Sequence, residues 1–261
     1  MKTASNRQLT LLRKLKRKKY RYKERLFFVE GIRAVRQVAA NNVIEIDTLF
    51  FDEHQGYAAE SYWEKLIAEN QAALVGNKDF SRIADTTNPQ GVLALCRMPE
   101  EQKVDEMVKK SGVIVALDEI QDPGNVGTII RTASWFGVRG LLSGKGSADL
   151  FHPKVVRSTA GATGTVRHRN GELPDLLNKF ESDGWRAVLL NKGERSVPLS
   201  DVESYSKTIL VVGNEGHGIQ PALFNEHRLQ VEISSPENGN ETVESLNAAI
   251  ATSIGLYQLM A

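Results

Sequence analysis

Leu117-Asp-Glu-Ile-Gln-Asp-Pro-Gly-Asn-Val-Gly-Thr-Ile-Ile-Arg-Thr-Ala-Ser-Trp-Phe136 is the stretch on which the fold class turns. The residues leading into it, Val113 to Leu117, form a short, nearly all-apolar, β-branched run, the pattern of a strand buried on both faces. Asp122-Pro-Gly is turn chemistry, with proline presetting φ and glycine free to take φ > 0. A helix is predicted next, because Ile129, Ile130, Ala133 and Phe136 fall on one face, and Gly137 stops it. Helical side chains lean toward the N-terminus, so Arg131 reaches back toward the loop carrying Asn125. A guanidinium and a carboxamide beside free N–H groups at a helix start suit a phosphate. An ordinary strand–turn–helix with a capping Asn and a surface Arg reads equally well from these residues alone.

Asp122-Pro-Gly-Asn-Val-Gly-Thr-Ile-Ile-Arg-Thr-Ala133 resembles the first motif of the SpoU (TrmH) family of RNA ribose 2′-O-methyltransferases. Ile209-Leu-Val-Val-Gly-Asn-Glu-Gly-His-Gly-Ile219 is similar to the second motif, and Glu244-Ser-Leu-Asn-Ala-Ala-Ile-Ala251 to the third. The three come in the family's order. The resemblance implies a trefoil-knotted α/β domain, S-adenosylmethionine as methyl donor, RNA as acceptor (rRNA or tRNA), and a homodimer through the C-terminal domain. It assigns the donor site to Gly213, Gly218, Ile233, Leu246 and Asn191, largely through backbone groups. Arg131 becomes the key catalytic residue, with Asn125 and Glu215 positioning it and the acceptor, and Ser245 and Asn247 completing a polar wall. No metal is implied, because a sulfonium leaving group is already cationic. There are two departures. The family often has an acidic residue where His217 stands, and the loop from Ser234 to Glu244 is several residues longer than its pattern.

Read without the resemblance, these residues say less. Gly213-Asn-Glu-Gly-His-Gly218 matches neither a dinucleotide fingerprint nor a P-loop, which counts against a Rossmann enzyme. Ser245 and Asn247 also read as caps of the terminal helix.

The formal charge of +1 conceals a split. Residues 1–36 carry 13 Lys or Arg against Glu24 and Glu30, a net of +11, which leaves −10 on the rest. Arg13, Lys14, Lys16, Arg17, Lys18, Lys19 and Arg21 crowd one run with Tyr20 and Tyr22 among them. Like charges at i, i+4 repel, and a polyphosphate partner relieves this by counterion release. These seven are the expected RNA contacts. Leu12, Leu15, Tyr22 and Leu26 keep a rough helical stripe through the run. Cys96 is the lone cysteine and reads as a buried small hydrophobe. The histidines show no metal-ligand spacing. No signal peptide or apolar span is seen, so the chain is expected in the cytoplasm, off the membrane.

Strands are predicted at Phe27–Val29, Thr48–Phe51, Ala72–Val75 and Gly91–Cys96, with helices at Gly31–Ala40 (Ile32, Val35 and Ala39 inward), Glu60–Asn70 and near Lys78–Ala84. This makes residues 1–98 a small α/β domain. It resembles the substrate-binding domain that many family members carry. Residues 99–112 read as a linker. Residues 113–261 form the second domain, a parallel α/β sheet ending in a helix from about Ser245 to Met260. In that helix Leu246, Ile250, Ile254 and Tyr257 make the main apolar face, with Leu256 and Leu259 beside it. The leading reading is an S-adenosylmethionine-dependent ribose methyltransferase. The alternative is an inactive RNA-binding ribosome-assembly factor of the same fold. A nucleotide-dependent metabolic enzyme leaves the basic run unexplained.

Overall fold

A computed structural model describes residues 1–57, 60–203, 205–235 and 245–260. From the N-terminus the elements are β1 (Lys2–Thr3), α1 (Asn6–Leu15), α2 (Lys18–Glu24), β2 (Leu26–Glu30), α3 (Ile32–Asn41) and β3 (Ile46–Asp52). Then come α4 (Ser61–Glu69), β4 (Gln71–Val75), α5 (Asn77–Ile83), β5 (Val92–Arg97) and α6 (Val104–Met107). The central part holds β6 (Gly112–Leu117), α7 (Pro123–Trp135), β7 (Gly140–Gly144), α8 (Pro153–Ser158), β8 (His168–Gly171) and α9 (Leu173–Ser182). The chain closes with β9 (Arg186–Leu190), β10 (Val197–Pro198), β11 (Lys207–Val212), β12 (Leu229–Glu232) and α10 (Ala248–Met260).

Two units result, residues 1–100 with 149–165, and residues 101–148 with 166–261. In the first, the sheet order is β1-β4-β3-β5-β2. β1, β4 and β3 run parallel, while β5 is antiparallel to both β3 and β2. Leu9, Leu12 and Leu15 of α1 bury one helical face in a core shared with Phe28, Phe50 and Phe80. A capping box between Ser5 and Gln8 starts that helix. The basic run is not one continuous helix, because Arg17 is extended at φ −100° and ψ 131° between α1 and α2. On α3, Val35 and Val38 are the buried residues, whereas Ile32 and Ala39 are only half-buried. β1 has two residues, too few for any periodicity to show. Cys96 is fully buried, and burial pushes its thiol up.

The second unit is a seven-stranded sheet, β10-β12-β9-β11-β6-β7-β8, parallel throughout. β11 lies between the earlier β6 and β9, and β12 between β9 and β10. Two boundaries differ from the sequence expectation. The stretch 99–112 contains α6, and Met107 and Val108 are buried in the second unit's core beside Phe180 and Trp185. Trp185 Nε1 donates to the Val108 carbonyl at 3.0 Å. Residues 149–165 pack with the first unit: Phe151 meets Phe27 at 5.0 Å, and a Cβ on Gly161 would lie 2.4 Å from Gln37.

The terminal helix inverts its expected faces. Leu256 and Leu259 are buried with Ala248, Ala249, Thr252 and Gly255. Leu246, just before the helix, and Ile250, Ile254 and Tyr257 on it are exposed. The reason is steric. A Cβ at Gly255 would come within 2.9 Å of Leu210, so the side carrying Gly255, with Leu256 and Leu259, is the one that lies against the sheet. Ile250, Ile254 and Tyr257, on the other side, are left outside, in the same unit as Trp135, which is 86% exposed.

Candidate functional site

The site is built at the carboxyl ends of β6 and β11, where open parallel sheets place their ligand-binding loops. These strands pair in register from Lys207↔Gly112 to Val212↔Leu117, so the loops that follow them emerge side by side. Asp118 fixes the junction. It is fully buried, and its carboxylate accepts from Gln220 N at 2.7 Å and Gln220 Nε2 at 2.5 Å. Burial raises its carboxyl above the ordinary range, against the pull of those hydrogen bonds.

The loop after β11 closes on itself through Asn214 and Gly218, which exchange backbone hydrogen bonds at 2.9 Å each. Gly213 admits no side chain, because a Cβ would lie 2.4 Å from the Gly218 carbonyl carbon. Glu215 stands on the tip of this turn and accepts a hydrogen bond from Asn125 Nδ2. Asn125 Oδ1 in turn accepts from Asn247 Nδ2 at 3.0 Å. Three residues far apart in sequence thereby form one hydrogen-bonded chain. Asn247 is also the cap of α10, its Oδ1 accepting from Ala249 N at 3.0 Å and Ile250 N at 3.3 Å. The capping role and the site role are therefore held by one side chain.

One local expectation is corrected. Asn125 sits inside the first turn of α7, and the cap is Asp122, whose Oδ1 accepts from Asn125 N at 3.0 Å. A carboxylate of the protein itself occupies the helix start, which disfavours a phosphate there. Arg131 is exposed and bonds to no described residue. Ser245 is exposed and lies outside α10, which begins at Ala248.

Asn191 follows β9, its N donating to the Val231 carbonyl at 2.9 Å and its Nδ2 to Gln230 Oε1 at 3.2 Å. Ile233 follows β12 and is half-buried, and Leu246 is 46% exposed. β12, β9 and β11 are neighbours, so Ile233, Asn191 and Gly213 end three adjacent strands. Much of the long loop, residues 236–244, lies outside the described residues.

The basic run divides. Lys14, Arg17, Lys18 and Lys19 are exposed, with Lys14 Nζ over Tyr20 and Lys18 Nζ over Tyr22, each 5.6 Å from the ring centre. Arg13 pairs with Asp79 at 2.7 Å. Lys16 Nζ donates to the Ala84 carbonyl at 2.7 Å and the Arg82 carbonyl at 3.1 Å. Arg21 is corrected as a surface cation. It is 1% exposed, bonded to Asp149 and to the Leu15 carbonyl at 2.7 Å and the Lys16 carbonyl at 3.0 Å. Tyr22 Oη donates to the same Asp149 at 3.0 Å.

Sequence reading missed the pair His217–Glu119, in which Nε2 lies 2.9 Å from Oε2 across a separation of 98 residues. Among the described residues no cluster of three metal-ligating side chains occurs, and no helix is long and apolar enough to cross a membrane.

Residues 112–257 match the model of the SpoU rRNA methylase family. The chain belongs to the SpoU family. Residues 6–94 match an MRM3-like substrate-binding domain. The 23S rRNA (guanosine(2553)-2′-O)-methyltransferase RlmP of Bacillus subtilis is 30% identical, covering 99% of this chain and 98% of that protein. Two solved structures extend the likeness. A TrmH-family protein of Porphyromonas gingivalis has a TM-score of 0.81 at 32% identity, covering 98% of each chain. An AdoMet-bound rRNA methyltransferase of Sinorhizobium meliloti has a TM-score of 0.83 at 27% identity, covering 99% of this chain and 96% of that one. The three SpoU motifs fall at the start of α7, at β11 and its loop, and at the start of α10. Asn125 of the first motif joins the other two, through its bonds to Glu215 and Asn247.

Proposed function

We propose that this SpoU-family chain transfers the methyl group of S-adenosylmethionine to a ribose 2′-hydroxyl of structured RNA, rRNA or tRNA. The observation that carries the proposal is the joined set Asn247–Asn125–Glu215 beside a glycine turn with no room for a Cβ. The residues fit the donor. Gly218 is half-buried, and a Cβ on it would lie 4.0 Å from Asn191 Oδ1, while the apolar Leu246 is exposed and open to a ligand. When bound there, the donor supplies a methyl on cationic sulfur, so the leaving group departs neutral and the reaction as proposed needs no metal.

Asn125 and Glu215 hold each other in one geometry, which presents fixed dipoles to the acceptor rather than groups that must reorganise. Arg131 clamps the acceptor phosphate through its planar fork and steadies the developing alkoxide. Ser245 and Asn247 complete the polar wall. The first unit holds the RNA through Lys14, Arg17, Lys18 and Lys19, with Tyr20 and Tyr22 among them, Arg13 and Lys16 contributing from their internal bonds.

Two copies pair through the second unit. Trp135, Ile250, Ile254 and Tyr257 are large apolar side chains left exposed on α7 and α10, which supports a homodimer. Insertion of β11 and β12 between earlier strands supports a trefoil knot formed by the C-terminal part of the chain. The single buried Cys96 supports a reducing, cytoplasmic setting.

Calorimetric titration with S-adenosylmethionine, followed by methyl transfer to RNA, tests the reading. Saturable one-to-one binding per chain and a ribose-methylated product are expected. An intact protein that binds no donor would refute it.

A further inference from the structure

Methylating a ribose hydroxyl leaves one proton to be placed, and the groups of the loops after β6 and β11 narrow where it goes. The inference rests on the function proposed above. Arg131 is set aside, because a guanidinium offers five donors and no acceptor. Asp118 is sealed, with both oxygens taken by Gln220. Glu215 accepts from Asn125, and a carboxylate is a weak base at neutral pH.

His217 is left. Its side chain is 61% exposed, two residues from Glu215 on the same closed turn. Its Nε2 meets Glu119 Oε2 at 2.9 Å, and its Nδ1 bonds to no described residue. A carboxylate on one ring nitrogen selects the tautomer whose other nitrogen carries a lone pair.

Glu119 is itself held. It is a non-glycine residue at φ +53°, its carbonyl accepts from Asn214 Nδ2 at 2.9 Å, and a Cβ on Gly146 would come within 2.9 Å of its Cγ. Left-handed backbone in such a residue persists only where its surroundings over-determine it. Here that conformation aims the carboxylate at His217.

We propose that His217, oriented by Glu119, is the general base that accepts the proton of the acceptor 2′-hydroxyl. The O–H bond breaks with its proton passing to Nδ1. The 2′-oxygen bonds to the methyl carbon while the electron pair of the broken carbon–sulfur bond stays on sulfur. The imidazolium is balanced by Glu119 and later returns its proton to water. The charged groups around it are Glu119, which it meets directly, Asp118, the residue before Glu119, and Glu215 on its own turn. His217 is thus a catalytic residue and Glu119 a positioning residue.

The test is single-turnover methylation at saturating donor and RNA, from about pH 5 to about pH 8, the span in which imidazole ordinarily changes charge. The parent rate is expected to climb with unit slope and then level. His217→Gln should lose that acid limb and fall about 100-fold or more at the plateau. Glu119→Gln should keep the limb at a plateau about tenfold lower, because the ring is no longer held in one tautomer. Calorimetric donor affinity should stay within about twofold for both, which reports that the fold is intact. Should His217→Gln fail to bind donor, His217→Asn is read in its place. A parent profile without an acid limb, or a plateau for His217→Gln within about threefold of the parent, would overturn the assignment. A parent that methylates no RNA at any pH would instead sink the function reading, and this proposal with it.

Discussion

Arg21, in the first unit, is 1% exposed and holds Asp149 and two backbone carbonyls. Arg131, in the second, is exposed and bonds to no described residue. In sequence both read as functional cations, one inside a basic run and one inside a motif. The difference is burial. A guanidinium out of water is stable only with its donors satisfied, so Arg21 is committed to the fold. A guanidinium left in water with its planar fork open is available to a ligand. The same contrast runs through the apolar residues of α10, where Leu256 is buried and Tyr257, its neighbour in sequence, is 66% exposed.

The largest effect should come from breaking the committed arginine. Arg21→Ala leaves Asp149 charged and buried, and should cost about 3–5 kcal/mol of stability. Denaturant unfolding followed in the first unit measures this. A loss below about 1 kcal/mol would put the pair among ordinary surface ion pairs and erase the distinction.

The presented arginine should behave in the opposite way. Arg131→Lys should leave unfolding and donor affinity nearly unchanged while lowering the single-turnover rate about 100-fold, since a point charge lacks the bidentate fork. Raising the pH to about 10, near the reference lysine value, should bring no recovery. Recovery to the parent rate would mean that residue 131 takes the proton and that the clamp is wrong.

A smaller effect sharpens the comparison within the basic run. Replacing the exposed Lys14, Arg17, Lys18 and Lys19 by Ala should weaken RNA binding. It should also flatten the salt dependence by about 0.7–0.9 for each phosphate no longer neutralised. Donor affinity should not move. An unchanged slope would make this face merely solvated.

The smallest effect concerns His152, beside the buried pair. Burial, then Arg21, lowers its pKa, so folding favours the neutral ring. Its contribution is complete above the ordinary histidine value near 6.5 and is lost as the pH falls through it, because the unfolded chain then binds more protons. Its Nδ1 also caps α8 by accepting from Lys154 N at 3.2 Å. His152→Asn retains a capping acceptor and should shed that part of the acid sensitivity in pH-dependent unfolding. An unaltered slope would show that His152 titrates alike in both states.

Much of the scaffold was legible because it is local. The β-branched run before Asp118 and the stop at Gly137 are near-neighbour chemistry, and each falls where the strand runs and the helix stops, whereas Asp122-Pro123-Gly124, read as a turn, forms the cap and first two residues of α7. Helical faces were less legible. α10 is apolar on nearly every side, so periodicity could not say which side meets the sheet, and the close approach at Gly255 decides it. Arg21 escaped the reading because its partner lies 128 residues away. His217 and Glu119 escaped it for the same reason, since nothing in either neighbourhood announces the other. Glu215 and Asn247 were legible as site residues only through the resemblance, and Asn125 was read physically only as part of a phosphate site, without its bonds to the other two. Physically each was a plain polar residue until the fold brought the three together.

The claim underlying all of this is that the presented groups of the second unit methylate a ribose. The direct measurement is to map 2′-O-methyl groups across total RNA from cells with and without the protein, and from cells supplied with Arg131→Ala or with the parent chain. The account predicts that a ribose methylation disappears without the protein, returns with the parent, and does not return with Arg131→Ala. An RNA methylation map identical in all four would contradict it.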